Sequence, residues 1–156
     1  MSDLTKSQYR FEDCVSHAKP MALLDDDIFF TPGRLRASVT IGPESIFAEA
    51  EGVPTWVGME YMAQTAAAYA GALARHKGSP VKVGFLVGSR RYTVERSHFA
   101  CGKTFTIDIA EEIYNPDGLS VFACTIADQG ETIASANLSV FQPKDLEPYL
   151  QGSGNG

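Results

Sequence analysis

Glu60 and Gln64 are the two residues whose types and spacing could support acid–base chemistry in this chain of 156 residues. They lie four residues apart in the stretch PTWVGMEYMAQTAAAYAG, residues 54–71, in which Glu60 is the only charged residue. Side chains at this spacing share one face of an α-helix. A carboxylate near the N-terminus of an apolar helix is a candidate general acid or base, because the helix dipole and the loss of solvent both act on its charge. The alternative is a structural Glu60 that caps the helix or pairs with Arg90 or Arg91.

The same stretch predicts one long helix. Pro54 or Thr55 stands at its beginning and Gly78 stands just past its end, which is the usual placement of proline and glycine. The residues between them are almost all apolar or small, so this helix needs burial on most of its sides. We interpret Tyr61 and Tyr69 as amphipathic contacts at the helix boundary or at a dimer seam.

The rest of the sequence predicts strands. A Pro-Gly turn at residues 31–33 separates two strand-like runs, and apolar and polar residues alternate in the second run, residues 34–41. After the helix the chain predicts about four further strands, and Gly84 and Gly88 in the first of them could mark either close backbone approach or a bulge. We therefore predict an α+β fold in which a curved antiparallel sheet wraps around one long central helix. Residues 1–147 would form this single domain, and residues 148–156 a flexible C-terminal tail.

Composition and charge argue against several classes of protein. Hydrophobic residues make up 44% and charged residues 21% of the chain, as in a soluble globular protein, and the net charge of −6 argues against nucleic-acid binding. The three cysteines form no CxxC pair and no two histidines have metal-ligand spacing, so we expect neither a metal nor an organic cofactor. We expect a cytoplasmic protein without a membrane span, because the N-terminus has no apolar signal segment and the apolar stretch carries polar residues. Arg90, Arg91 and Arg96 form a local basic cluster, which is either a solvated strand end or a landing surface for an acidic protein or a phosphate-bearing ligand.

Three segments resemble the hotdog-fold 3-hydroxyacyl-carrier-protein dehydratases. In the helix, Pro54, Glu60, Ala63 and Gln64 match the proline, the glutamate and the Ala-Gln pair of that family. The segment SHAKPMALLDD resembles the family's N-terminal segment, and VGFLVGSRRYTVER resembles the strand that follows its helix. The resemblance covers residues 10–143 and is strongest to the dehydratase-like subunits of aryl polyene biosynthesis.

The resemblance implies a hotdog-fold lyase that acts on 3-hydroxyacyl thioesters held on acyl carrier protein, as in fatty acid or polyene biosynthesis. Glu60 would then be the acid–base group with Gln64 beside it, and the amide of Thr55 or Trp56 would bind the thioester carbonyl. The strand after the helix would line the acyl chain, and the basic cluster would dock the acidic carrier protein. The acyl-lining residues would be Phe85, Leu86 and Val87, and the carrier-docking residues Arg90, Arg91 and Arg96.

The sequence departs from that family before the helix. The loop GPESIFAEAEGVP, residues 42–54, lacks the histidine that the family uses in catalysis, and Thr55 replaces a glycine. We therefore expect either a homodimer or a heterodimer in which a related hotdog subunit supplies the histidine. We interpret His17 as structural, His76 as a surface residue at the helix end and His98 as a loop residue before a strand. Two other functions stay open: a hotdog thioesterase, whose helix carboxylate needs no histidine, and a non-catalytic subunit that binds acyl chains or stabilises a partner.

Overall fold

The computed structural model describes residues 4–15, 21–79 and 85–141, with side chains from residue 88 onward in the last range. Three predictions therefore concern parts that lie outside the described residues. They are the structural assignment of His17, the tail at residues 148–156, and the acyl-lining side chains of Phe85, Leu86 and Val87.

Two helices and nine strands make up the described part of the chain. The short strands are β1 (Thr5–Lys6), β2 (Phe29–Thr31), β4 (Val53–Pro54) and β6 (His98–Phe99). The longer strands are β3 (Arg34–Thr40), β5 (Phe85–Val94), β7 (Thr104–Tyr114), β8 (Leu119–Asp128) and β9 (Glu131–Phe141). The helices are α1 (Phe11–Cys14) and α2 (Gly58–His76). Seven of the strands form one antiparallel sheet in the order β1-β2-β3-β7-β8-β9-β5, while β4 pairs with β6. The curved sheet packs against α2 through β3, β7 and β8, which confirms the predicted hotdog architecture.

The β2–β3 hairpin follows from its turn residues and its alternating pattern. Gly33 has a φ of +96°, a conformation that glycine adopts without strain, and the register pairs Thr31 with Arg34 across the turn. The alternating apolar residues of β3 and of the first half of its neighbour β7 face the core, as the period-two pattern predicts, whereas Ile113 and Tyr114 at the far end of β7 are exposed. The buried residues are Leu35, Ala37 and Val39 of β3, Ile41 just after it, and Phe105, Ile107 and Ile109 of β7.

The central helix α2 has the boundaries that the proline and glycine positions predict. One 3₁₀ turn, Thr55–Val57, leads from Pro54 into α2, and Gly78 follows its last turn with a φ of +70°. The short helix α1 packs against α2 at Gly71, where a Cβ atom would overlap the backbone carbonyl of Cys14. The absence of a side chain at this position therefore permits the close approach of the two backbones.

Tyr61 and Tyr69 lie in the core, which corrects their assignment to the helix boundary or a dimer seam. The ring of Tyr61 lies 5.5 Å from that of Phe99, and the ring of Tyr69 lies 5.5 Å from that of Phe122. Two residues eight positions apart are two turns apart on one helical face, and here that face meets the sheet.

Strand β5 lies at one end of the sheet. It pairs with β9 along one edge, and its other edge pairs with no strand in the described ranges. Two irregularities interrupt its register: one next to Gly88, where the sequence allows either a bulge or close backbone approach, and one that includes Arg91, which has a φ of 59°. Because an edge strand carries backbone groups without partners, another chain can add a strand to it.

Candidate functional site

Glu60 lies in the first turn of α2 and is partly rather than fully buried. Its Oε1 atom accepts a hydrogen bond of 2.9 Å from Nε2 of Gln64, as the four-residue spacing predicts. Glu60 forms no ion pair with any residue that the structure describes, including Arg90 and Arg91. Within the described residues, the carboxylate is therefore held by an amide rather than neutralised by a cation, and it stays partly exposed.

Gln64 positions Glu60, and only 1% of the surface of Gln64 is exposed. Besides its bond to Glu60, its Nε2 donates to the carbonyl of Met21 over 2.7 Å, and its Oε1 accepts the backbone N–H of Leu23 over 2.9 Å. A backbone N–H can only donate and a carbonyl can only accept, so these partners define which way the amide points. Gln64 thereby fixes the 21–23 segment onto α2 and orients the carboxylate with the same side chain.

A cavity of about 280 Å³ opens between α2, β3, the 21–23 segment and the loop before β4, and α2 contributes Tyr61 to its lining. Leu23 joins the cavity to the Glu60–Gln64 pair, because it lines the cavity and gives its N–H to Gln64. The sequence did not predict a cavity here, since residues far apart in the chain form it. The described residues that line it are Ala22, Leu23, Val39, Glu44, Ser45, Ile46 and Tyr61.

Thr55 is bound into the fold at the start of the helix. Its backbone N–H donates to the carbonyl of Ser97 over 3.0 Å, and its Oγ1 donates to the carbonyl of Arg96 over 2.7 Å. Its own carbonyl accepts a hydrogen bond from the Tyr92 hydroxyl, and burial raises the pKa of Tyr92 to about 12. Of the two amides predicted to bind a thioester carbonyl, that of Thr55 is thus occupied, and that of Trp56 remains as the candidate.

Trp56 lies on the surface with 64% of its area exposed, so it does not contribute to the core. Its ring stands 5.3 Å from the ring of Phe47, which is also exposed. Phe47 has a φ of 68°, a costly backbone conformation for a bulky side chain. The two rings form an exposed aromatic pair next to the first turn of α2, which the sequence alone did not indicate because folding brings the loop and the helix start together.

The three arginines of the basic cluster have different surroundings. Arg90 and Arg91 are exposed on β5, whereas Arg96 pairs with Asp128 over 2.6 Å. Asp128 is 7% exposed and also accepts a hydrogen bond of 2.8 Å from Lys103. The hydrogen bonds from Lys103 and Arg96 lower the pKa of Asp128, and the bond to Asp128 raises the pKa of Arg96. The charge of Arg96 is therefore balanced inside the fold, and the free positive charge of the cluster belongs to Arg90 and Arg91.

His98 lies in β6 rather than in a loop, which corrects the prediction from sequence. Its Nε2 is 2.8 Å from Oε1 of Glu49, and its Nδ1 is 3.0 Å from Oγ of Ser97 and 3.3 Å from Oε2 of Glu51. Because β6 pairs with β4, His98 lies opposite Pro54. Both ring nitrogens are engaged, so His98 fastens the loop before α2 to the β6 ribbon instead of standing free beside Glu60.

A family model for the ApeP-like family, described as ApeP dehydratase, matches residues 9–151 of the chain. This chain belongs to the ApeP-like dehydratase family. The matched range contains the Glu60–Gln64 pair and all the described residues that line the cavity. No curated protein matches the sequence.

Solved structures share the fold of this ApeP-like chain at low sequence identity. The dehydratase heterocomplex ApeI:P from Xenorhabdus doucetiae is similar with a TM-score of 0.82 and 20% identity, over 93% of this chain and 98% of that one. An HP0420 homologue from Helicobacter felis gives a TM-score of 0.59 at 9% identity, over 89% and 85% of the two chains. A hypothetical thioesterase with coenzyme A from Streptococcus pneumoniae TIGR4 gives 0.56 at 12% identity, over 70% and 78%. At these identities the likeness establishes the hotdog fold alone.

Two further properties concern the part of the ApeP-like chain that the structure describes. No helix there is both long enough and apolar enough to cross a membrane. No three His, Cys, Asp or Glu side chains there come together in a way that could hold a metal ion.

Proposed function

We propose that this ApeP-like chain is a subunit of a 3-hydroxyacyl-thioester dehydratase in which Glu60 transfers protons. The observation that carries the proposal is the hydrogen bond from Gln64 to Glu60 in the first turn of α2, in a member of a dehydratase family. Glu60 is accessible enough to meet a substrate, and a buried amide holds it in one orientation. A reacting group that is positioned before the substrate arrives spends less free energy on alignment in the transition state.

The chemistry assigns a task to each group at the helix start. Dehydration breaks a C–H bond next to the thioester carbonyl and the C–O bond of the neighbouring carbon, forms a C=C bond and releases water. The Glu60 carboxylate would accept the proton, and the N–H of Trp56 would stabilise the enolate-like oxygen. A carboxyl that has gained the proton can return it to the leaving hydroxyl, although a second group of different acidity makes this transfer easier.

A histidine of a partner subunit is our candidate for that second group. His76 lies at the other end of α2, about 24 Å from Glu60 along the helix axis at a rise of about 1.5 Å per residue. His98 has both ring nitrogens engaged. Beside Glu60, then, the described residues offer no free imidazole, and the loop before the helix contains none in its sequence.

Two observations support a heterodimer with another hotdog subunit. The similar ApeI:P structure from Xenorhabdus doucetiae is a dehydratase heterocomplex. In this chain, the outer edge of β5 has no partner strand within the described ranges, so a second subunit could continue the sheet there. Tyr92 of β5 binds the carbonyl of Thr55, so a partner at this edge would lie near the start of α2.

The test is mass-spectrometric turnover of a 3-hydroxyacyl-pantetheine thioester by the purified chain, alone and co-expressed with a histidine-bearing hotdog subunit. We expect the enoyl thioester from the pair only, and a loss of at least about 100-fold with Glu60→Gln, because general acid–base catalysis contributes about 10²–10⁴-fold. Glu112→Gln is the matched control, since it makes the same change at an exposed position of β7. Turnover that survives Glu60→Gln would contradict the role of Glu60.

The same assay separates two other functions. A free thiol as product would indicate the thioesterase reaction, and a hypothetical thioesterase with coenzyme A is among the similar structures. Unchanged substrate with every partner, combined with a partner that unfolds at a higher temperature in the complex, would indicate a non-catalytic stabilising subunit.

We expect an acidic acyl carrier protein to dock onto the surface that carries Arg90 and Arg91. Arg90 is exposed and pairs in register with Asn137, on the sheet face opposite that of buried Leu138, so strand addition at the edge need not cover it. Reversing both charges, Arg90→Glu with Arg91→Glu, should weaken carrier binding and remove most of its salt dependence. Lys77→Glu, at the exposed far end of α2, is the control for the single variant Arg90→Glu, which changes the charge by the same amount; equal effects of these two changes would reject this docking surface.

A further inference from the structure

Tyr61 and Tyr69 of α2 and Tyr92 of β5 differ in what their hydroxyl groups bind. The hydroxyl of Tyr69 accepts the backbone N–H of Gly33 over 2.8 Å, and the hydroxyl of Tyr92 donates to the carbonyl of Thr55. Tyr61 is 2% exposed, and its hydroxyl forms no hydrogen bond with any residue in the described ranges. Burial alone raises the pKa of Tyr61, so this phenol keeps its proton at physiological pH.

A buried hydroxyl without a partner is costly, and most buried polar groups are hydrogen-bonded. Tyr61 lines the cavity of about 280 Å³, so a molecule in that cavity could be the partner of its hydroxyl. The cavity is close to the lower end of the roughly 300–1,000 Å³ range of small-molecule pockets, and it is about twice as large as the roughly 150 Å³ cavity that admits benzene. It therefore has room for part of an acyl chain.

The lining of the cavity combines an apolar body with a few polar groups. Its apolar side chains come from the 21–23 segment, β3 and the loop before β4, and they are Ala22, Leu23, Val39 and Ile46. The polar groups are Tyr61, the exposed Glu44, and Ser45, whose Oγ already accepts the N–H of Gly42 over 2.9 Å. An unsubstituted alkyl chain would satisfy the apolar walls and leave the Tyr61 hydroxyl without a partner.

We propose that the cavity beside Leu23 selects acyl chains that carry a hydrogen-bonding oxygen distant from the thioester, and that the Tyr61 hydroxyl recognises this oxygen. The proposal rests on the proposed function, because Leu23 and Gln64 connect the cavity to Glu60. The ligand class is a thioester whose chain is apolar except for a hydroxyl or carbonyl group near its far end. The Tyr61 hydroxyl would donate its hydrogen bond to that group.

The test uses matched pairs of saturated acyl-pantetheine thioesters of six, eight and ten carbons, each with a terminal methyl or a terminal hydroxyl group. Binding is measured by calorimetry on the full chain, in the complex with its partner if the chain alone does not bind. For at least one length we expect tighter binding of the hydroxyl member. Tyr61→Phe should then reduce that preference by roughly two- to tenfold, which is the range of one net hydrogen bond.

Two variants serve as controls. Tyr69→Phe leaves the N–H of Gly33 without its acceptor, so it should lower the unfolding temperature and keep the ligand preference. Tyr61→Phe removes a hydroxyl that has no described partner, so it should not lower the unfolding temperature. Ala22→Leu places a larger side chain in the cavity wall and so reduces the volume of the cavity. This variant should weaken the binding of both members of each pair.

The outcomes separate the inference from the proposed function because binding does not require turnover. No preference at any chain length, or a preference that Tyr61→Phe leaves unchanged, would overturn the inference even if dehydration occurs. A loss of stability in Tyr61→Phe as large as that in Tyr69→Phe would also overturn it, since the hydroxyl would then have a structural partner. A Tyr61-dependent preference without any dehydration would support the inference and reject the proposed reaction.

Discussion

The hydrogen bonds of Gln64 make it possible to separate structural support from chemistry at this site. Gln64→Met keeps the length and approximate volume of the side chain but removes both N–H donors and the acceptor. The backbone N–H of Leu23 and the carbonyl of Met21 would each lose a partner, at about 1–3 kcal/mol apiece. We therefore expect the free energy of unfolding to fall by about 2–4 kcal/mol, allowing for the partial burial of both groups.

Glu60→Gln, in contrast to Gln64→Met, should abolish turnover with little loss of stability. The new amide keeps an oxygen that can accept the hydrogen bond from Gln64, and the position is only partly buried. We expect a stability change below about 0.5 kcal/mol together with the loss of turnover described above.

Urea denaturation of the two variants, fitted with a common m-value, measures this contrast. For a domain of this size the loss in Gln64→Met corresponds to a fall of about 5–15 °C in Tm. If Gln64→Met stays within about 0.5 kcal/mol of the parent, or if Glu60→Gln is the more destabilising change, Gln64 does not hold the 21–23 segment on α2 and the reasoning is wrong.

Two further predictions concern the support of the fold. Gly71→Ala should lower Tm, because the added Cβ would overlap the backbone carbonyl of Cys14. Gly88→Ala is the control, because a Cβ there has open space around it and should change Tm much less. Equal shifts in Tm would contradict the close contact of α1 with α2. The pKa of Asp128 is lowered by Lys103 and a second cation, so this carboxylate contributes stability above its unfolded pKa of about 3.9 and loses that contribution as the pH falls through its lower folded value. In urea titrations, Asp128→Asn should therefore be less stable than the parent at pH 7 and approach it below about pH 4, and a difference independent of pH would refute the ion pairs.

The elements of the fold could be predicted from the sequence because their signals are local. Proline and glycine mark the two ends of α2, and the turn at residues 31–33 joins β2 to β3 in the expected way. The pairing of Gln64 with Glu60 is also local, since it depends only on a spacing of one helical turn.

The surroundings of the site could not be predicted, because contacts between distant parts of the chain create them. Gln64 bonds to residues 41 and 43 positions earlier, and Glu49 lies 49 positions before its partner His98. None of these three spacings corresponds to a recognisable sequence pattern. Burial of Tyr61 and exposure of Trp56 depend likewise on how the helix is rotated against the sheet, which a helix that is apolar on most sides does not reveal.

Glu60 and Tyr61 are adjacent in sequence yet meet different surroundings, because consecutive helical residues point about 100° apart. Glu60 is partly exposed, whereas Tyr61 is buried in the core and lines the cavity. Leu23 connects the two, because it lines the cavity and donates its N–H to Gln64, which binds Glu60. If the cavity and the acid–base group form one site, releasing this segment with Gln64→Met should also weaken the ligand preference that depends on Tyr61. We express each loss of ligand preference as a free energy. The double variant Gln64→Met with Tyr61→Phe should then lose less preference than the sum of the two single losses. Additive losses would show that the cavity works independently of Glu60 and Gln64.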